Sequence, residues 1–458
     1  MSSDIFSLIP DYWNVHERGK DVIALTHVCQ AWRKTFISRP SLWTNVNCVD
    51  PDKIRVYFER SKGSSICLQI GRRWDPCPSG PLSQAISQVV SHATGRFKSV
   101  RIEDVTGNLQ NIVAHLSRPA PLLEHLAIAN CLHYQLGDNV TLAALFNGDL
   151  SSLRTLTLWS IRTELPWKNM VNLSSFKLTY PPPEGTSIKQ FVDFFQSAPR
   201  LCEIDLRHAI PTSGVEVGRL VSLECLKRME IFGGGPCSLL LDHLLIPTGA
   251  YLSVGMCWNG DRLEGHFPRD LKNLRNLSGC TEIHLTLSKA NPSIYFIGPN
   301  GNIRVSSEAR EDDITPQVLE YLARFSTSRI ERLELHYDNS PRGDLLFWAL
   351  KPMENLRTFK ISRSKLASTI IRALDPHLNA GQIACPNLKR IALDPHAGLD
   401  KFDVVGVIKL ALRRASKGAK LEAIRITNRG ICFETYVLNS SGHSLRMEYD
   451  REVGMMWR

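Results

Sequence analysis

Four groups of residues in this chain have types and spacings that could do chemistry. Ser362-Arg363-Ser364-Lys365 matches the SxxK arrangement of a nucleophilic serine beside a lysine base. It begins at the end of an apolar strand pattern, and two residues matched over four positions recur by chance in any long chain. Gly233-Gly234-Gly235-Pro236 resembles a phosphate loop only in its glycines. No Gly-Lys-Ser/Thr follows to reach the phosphates, so the run reads as a turn. The histidines, among them His125, His208, His243, His284 and His336, stand singly, with no nucleophile and orienting acid to pair with. The twelve cysteines, from Cys29 to Cys432, are single too; no CxxC pair and no neighbouring histidines give metal spacing. The expectation is therefore no catalytic residue, no cofactor and no metal ligand, and a chain that is not an enzyme. A hydrolase or transferase hidden in the irregular middle would betray itself as a pocket with a perturbed carboxylate or histidine.

Composition narrows the remaining classes. With 458 residues, 43% of them hydrophobic and 22% charged, the chain is globular rather than disordered. No apolar run reaches the roughly 18 residues of a membrane span, and residues 1–20 lack a basic start followed by an apolar core. No membrane partner is expected, and a cytoplasmic or nuclear location with reduced, mostly buried cysteines is. The formal charge of +10 raises the question of nucleic acid. Lys and Arg are interleaved with Asp and Glu, cluster only as pairs such as Arg72-Arg73 and Arg413-Arg414, and form no stripe with aromatic residues. The pattern argues against nucleic acid and suits contact with acidic partners.

The elements that would position a function start in the stretch from Asp21 to Trp43. Val22, Leu25, Cys29 and Trp32 fall three to four residues apart, which stacks them on one side of a helix. Phe36 and Ile37 prolong that side, Pro40 stops it, and Leu42 with Trp43 follows as a second apolar anchor. Asp50 at an N-cap, Pro51 in the first turn, Ile54, Tyr57 and Phe58 on one face, and Gly63 after it mark a further helix.

The order of these residues resembles the second half of the F-box: the acidic-aliphatic pair Asp21-Val22, the pair Val28-Cys29, Trp32-Arg33, then Leu42-Trp43. Thr26 to Cys29, Arg39 to Trp43, Asp50 to Lys53 and Tyr57 to Ser61 look like the F-box proteins expanded in mushroom-forming fungi. The resemblance is specific over residues 1–65 and architectural beyond them. It implies an all-helical docking domain, residues 1–62, whose Val22, Leu25, Val28, Cys29, Trp32, Leu42 and Trp43 build the surface for the acidic adaptor of an SCF ubiquitin ligase, and through it a cullin. The family's Leu-Pro opening is not present; Ile5 and Phe6 align near the end of its first helix and would supply what remains of it. Either the sequence starts inside the box or the box is degenerate.

From Ile66 onward a unit recurs. Ile66–Ile70 and Phe97–Ile102 alternate as strands, and the pattern LxxLxL returns at Leu123, Leu153, Leu173, Leu201 and Leu226, then at Ile330, Leu356, Leu388 and Leu421. Helical spacing separates these strands at Ile86–Ala93, Leu109–Leu116, Ile188–Phe195, Val318–Phe325 and Val404–Leu412. The spacing predicts an α/β fold, an irregular leucine-rich-repeat-like solenoid over residues 63–458, with a parallel sheet on the concave face and helices on the convex face. The asparagine of strict repeats is missing. Residues 235–310 fit least: a helix at Leu239–Leu245, strands at Tyr251–Met256 and Glu282–Leu287, and a hairpin at Ser293–Ser306 around Pro299-Asn300-Gly301-Asn302, an excursion from the array. Strands at Gly430–Leu438 and Leu445–Trp457 would cap its end.

In LxxLxL the intervening residues point away from the core. Thr157, Trp159, Asp205, Arg207, Arg228, Glu230, Phe232, Arg332, Glu334 and His336 are therefore expected to be exposed on the concave face, with Trp159 and Phe232 as anchors for a protein partner. The function expected from all of this is a substrate-recognition subunit of an SCF-type ligase. The alternative is a non-catalytic repeat scaffold whose degenerate box no longer binds the adaptor.

Overall fold

In each repeat the first apolar residue is sealed in the interior, and the rest of the local structure follows from how it is held. Leu123, Leu153, Leu173, Leu201, Leu226, Ile330, Leu356, Leu388 and Leu421 are all at most 4% exposed. At most of them the backbone N–H donates back three residues, as Leu153 does to Leu150, Leu173 to Met170 and Leu356 to Met353, so an apolar residue at that earlier place is buried too. The chain then straightens into a strand with alternate residues inward.

The computed structural model describes residues 22–47, 50–71, 91–104, 109, 116–130, 140–142, 145–148, 150–163, 170–179, 186–211, 218–233, 237–257, 268–287, 293–299, 301–308, 318–319, 322, 327–337, 343–362, 367–394, 404–428 and 431–436. They belong to two units, Met1–Leu226 and Lys227–Arg458. The expected helices at 86–93, 109–116 and 318–325 lie mostly outside the described residues, as do Ile5, Phe6 and the strand 445–457.

In the first unit the strands Asn45–Asn47, Ile66–Ile70, Phe97–Asp104, His125–Asn130, Thr155–Trp159, Ser175–Thr179 and Glu203–Arg207 pair in that order, every one parallel to the next. Helix Ile188–Ser197 covers the apolar side, its Phe194 ring 4.7 Å from that of Phe176. A capping box between Ser187 and Gln190 starts this helix, satisfying two donors that would otherwise be orphaned.

The second unit runs Arg228–Gly233, Tyr251–Cys257, Gly301–Glu308, Ser293–Gly298, Glu282–Leu287, Arg332–Tyr337, Thr358–Ser362, Arg390–Asp394, Ala423–Asn428 and Ile431–Tyr436. All neighbours are parallel except around Ser293–Gly298 and at the final strand. The hairpin is thus no excursion: both of its arms are inserted into the sheet. Cys280, Ile283 and Leu285 supply the buried LxxLxL positions of a repeat within that middle. Leu239–Leu245 is only one helical turn, Ser238–Leu241, followed by the extended pair Leu244–Leu245. Helices Gly343–Leu350, Ala367–Leu374 and Val404–Ser416 pack against one another in chain order.

A ladder links the repeats. In five repeats the residue just before the first apolar position donates back to the carbonyl two places before the corresponding position of the preceding repeat: Ser152 to Pro121, Asn172 to Ser151, Arg329 to Ser278, Asn355 to Ser328 and Asn387 to Glu354, at 2.6–3.0 Å. Paired N–H groups add a second rung, as where Arg154 and Thr155 both donate to the Glu124 carbonyl and Lys389 and Arg390 to that of Arg357.

Candidate functional site

The docking segment is not the single helix that its spacing predicts. Helix Val22–Leu25 ends in a turn, Cys29 is extended at φ −158°, and a second helix runs Gln30–Ile37. Thr26 explains the break in part, because its hydroxyl donates to the Ile23 carbonyl at 2.7 Å and competes with helix continuation. Arg33 Nε then donates to the Thr26 carbonyl at 2.9 Å, which fixes the two helices at the break.

This break sorts the expected docking residues into two groups. Val22, Leu42 and Trp43 are buried. The Trp43 indole donates to the Phe36 carbonyl at 2.9 Å, meets Tyr57 edge-on at 5.2 Å, and carries the Arg60 guanidinium 4.4 Å above its ring. Leu25 and Trp32 are half-buried, Trp32 stacking on Phe36 at 5.5 Å, while Val28 is 60% exposed and Cys29 exposed. Helix Pro51–Arg60, capped by the Asp50 carboxylate, joins this segment to the sheet through Arg96, which donates to the carbonyls of Phe58 and Ser64 and to the Ser61 hydroxyl.

The residues expected on the polar side of the sheet lie there in register. In the first unit Thr157, Trp159 and Asp205 are half-buried and Arg207 exposed, with Arg207 Nε 3.0 Å from Asp205. In the second, Arg228 is exposed and ion-paired with half-buried Glu230, and Phe232 lies across Gly255, where a Cβ would meet the ring at 2.3 Å. A side chain at Gly255 would lift this ring off the sheet.

Glu334 corrects the reading of a uniformly exposed face, because only 8% of its side chain is accessible. Lys360 Nζ lies 2.7 Å from Oε1, His336 Nε2 3.1 Å from the same oxygen, and His284 Nε2 and Arg332 approach Oε2 at 3.7 and 3.9 Å. Burial alone would raise the Glu334 carboxyl; the hydrogen bond and charge of Lys360, with His284 and His336 beside it, outweigh that and hold it below the usual glutamate value. The two histidines that stand singly in the sequence thus converge on one carboxylate. Lys360 arrives from the next repeat and His284 from the previous one, each at the same repeat position as Glu334 and directly paired with it across the sheet.

The donor atoms of Glu282, His284 and Glu334 lie within 4.8 Å of one another, a spacing that could hold a cation. Arg332 and Lys360 already engage the two carboxylates, which supplies the positive charge that a metal would bring. Burial pushes the Cys237 and Cys385 thiols up to about 12 and Cys280 to about 11, leaving them protonated at neutral pH. Cys29 and Cys225 are exposed. Residues 363–366 and 234–236 place most of the SxxK match and of the glycine run outside the described residues. Among the described residues no helix is long and apolar enough to cross a membrane. No protein-family model and no curated protein matches the chain.

Proposed function

We propose that the chain is the substrate-recognition subunit of an SCF-type ubiquitin ligase, with an irregular leucine-rich-repeat-like solenoid that presents its sheet to a protein substrate. The reading rests on the F-box-like order of residues 21–43 and is supported by one observation above all. Val28 and Cys29, with Leu25 and Trp32 still reachable, stay open to solvent while Phe36, Leu42 and Trp43 beneath them are packed. A tryptophan still reachable from solvent among exposed apolar residues suits a protein contact. The chain itself does no bond chemistry in this role; it raises the effective concentration of substrate near the ubiquitin-loaded enzyme. The acidic adaptor is the direct partner and a cullin the indirect one.

Retention of a purified SCF adaptor on the full chain tests this. Val28→Glu is expected to abolish retention and leave the melting temperature within about 2 °C, since Val28 is a surface residue. Equal retention by the variant, or none by the native chain, rejects the ligase role. A scaffold that no longer binds the adaptor is the second reading, favoured by the inward packing of Val22, Leu42 and Trp43 and by the Arg96 clamp, which together make the segment a cap on the sheet. It predicts no retention at all.

A further inference from the structure

The first unit carries a groove that the function proposed above does not use. It has a volume of about 710 Å³ and runs past the turns that enter the strands, away from the polar side of the sheet itself. Two kinds of repeat position line it, the residue before and the residue after each buried first leucine, so its walls recur at every strand from Ile66–Ile70 to Glu203–Arg207. Six neighbouring strands about 4.8 Å apart make it about 24 Å long, room for about seven residues of extended chain.

Its charge is unbalanced. Lys98, Arg154 and Arg200 line it against one carboxylate, Glu124. Glu124 is shared at long range, 3.8 Å from Lys98 and 4.0 Å from Arg154. Such exposed, loose pairs are worth little and exchange readily for another acid. Arg200 spends one N–H on Asn172 Oδ1 at 2.9 Å. Two acids of the neighbouring turns are engaged by serine hydroxyls, Glu203 by Ser175 and Glu224 by Ser222. Among the described residues that line it there is no aromatic ring for bases to stack on, whereas Ser152, Asn172 and Ser174 offer hydrogen bonds to a peptide backbone.

We infer that this groove binds an extended acidic peptide segment, read by Lys98, Arg154 and Arg200. The inference deepens the receptor reading and rests on it only for the identity of the segment, a stretch of the substrate. Cys225 lines the groove and is exposed, as is Cys29 on the docking segment, so the two thiols report on the two sites independently.

The full-length chain is titrated with a fluorescent peptide of alternating Glu and Ser, with its Gln-for-Glu counterpart, and with oligothymidine. Alkylation of each cysteine is followed by mass spectrometry. The Glu peptide is expected to bind and to slow Cys225 alkylation several-fold with Cys29 unchanged; the Gln peptide and the oligonucleotide should do neither. Arg154→Glu with Arg200→Glu should weaken the Glu peptide about tenfold, with the circular dichroism unaltered. Lys409→Glu, an exposed cation on helix Val404–Ser416, should leave it unchanged. Equal binding of Glu and Gln peptides, equal loss in Lys409→Glu, no protection of Cys225, or equal protection by oligothymidine overturns the inference. Because the adaptor would shield Cys29 rather than Cys225, failure of the ligase reading leaves a separate trace.

Discussion

Glu334 shows how much one side chain can hide from alternation. Its place in Arg332-Leu333-Glu334-Leu335-His336 puts it on the polar side of the strand, and it is there. Its partner Lys360 stands at the same position of the next repeat, 26 residues later, so the pairing follows from the register of the repeats and not from the strand's own sequence. Its carboxyl is held below the ordinary glutamate value, so the folded state gains from it above that value and loses the gain as pH falls through the lowered one. Glu334→Gln, leaving Lys360 without its counter-charge, is expected to cost about 1–3 kcal/mol at pH 7. Chemical unfolding of the native chain and the variant should converge as pH drops below about 4. At the other end, Trp43 is fully buried with its indole hydrogen-bonded, and Trp43→Ala should cost about 3–5 kcal/mol by denaturant titration. That residue was legible as an anchor from its spacing; that it faces inward rather than toward a partner was not, because its neighbour Arg60 comes from the following helix.

Among the elements, strands were the more legible. Glu282–Leu287 and Ile66–Ile70 lie where alternation puts them, since a period of two is unambiguous when one side is sealed. Helices were less so: residues 22–37 keep a helical period across a break that Thr26 and extended Cys29 impose. The hairpin was visible from Pro299-Asn300-Gly301-Asn302, yet its insertion in the sheet depends on close approach. A Cβ at Gly301 would lie 2.3 Å from the Thr248 carbonyl oxygen, so Gly301→Ala should destabilise by about 1–3 kcal/mol where most exposed glycine substitutions do not. Arg414, on helix Val404–Ser416, is fully buried and donates to the carbonyls of Ala384 and Cys385 at 2.9 and 2.7 Å. Arg414→Leu leaves those carbonyls unmet and should cost about 2–4 kcal/mol in thermal or chemical melts. The sequence shows this arginine only as half of the basic pair Arg413-Arg414. Its burial was not legible there because the loop it clamps, 375–388, has no periodic signature.

For the chain as a whole, the recurrence of LxxLxL was enough to read an α/β protein with a long, largely parallel sheet, because each sealed leucine demands a neighbour on either side. The uneven repeat length concealed the cross-repeat ladder, whose rungs are Ser, Asn and Arg rather than one residue type. Among the described strands Ile431–Tyr436 comes last in the chain, and it lies antiparallel to Ala423–Asn428. Every other strand from Arg332–Tyr337 to Ala423–Asn428 is a stackable copy of its neighbour, and such a series has no intrinsic stopping point. Among the described residues the reversed strand ends that series, with a polarity that the parallel copies before it do not share. Chains ending at residue 429 would bare a strand ready to template its own kind, and light scattering should register their end-on polymers where the full chain stays dispersed.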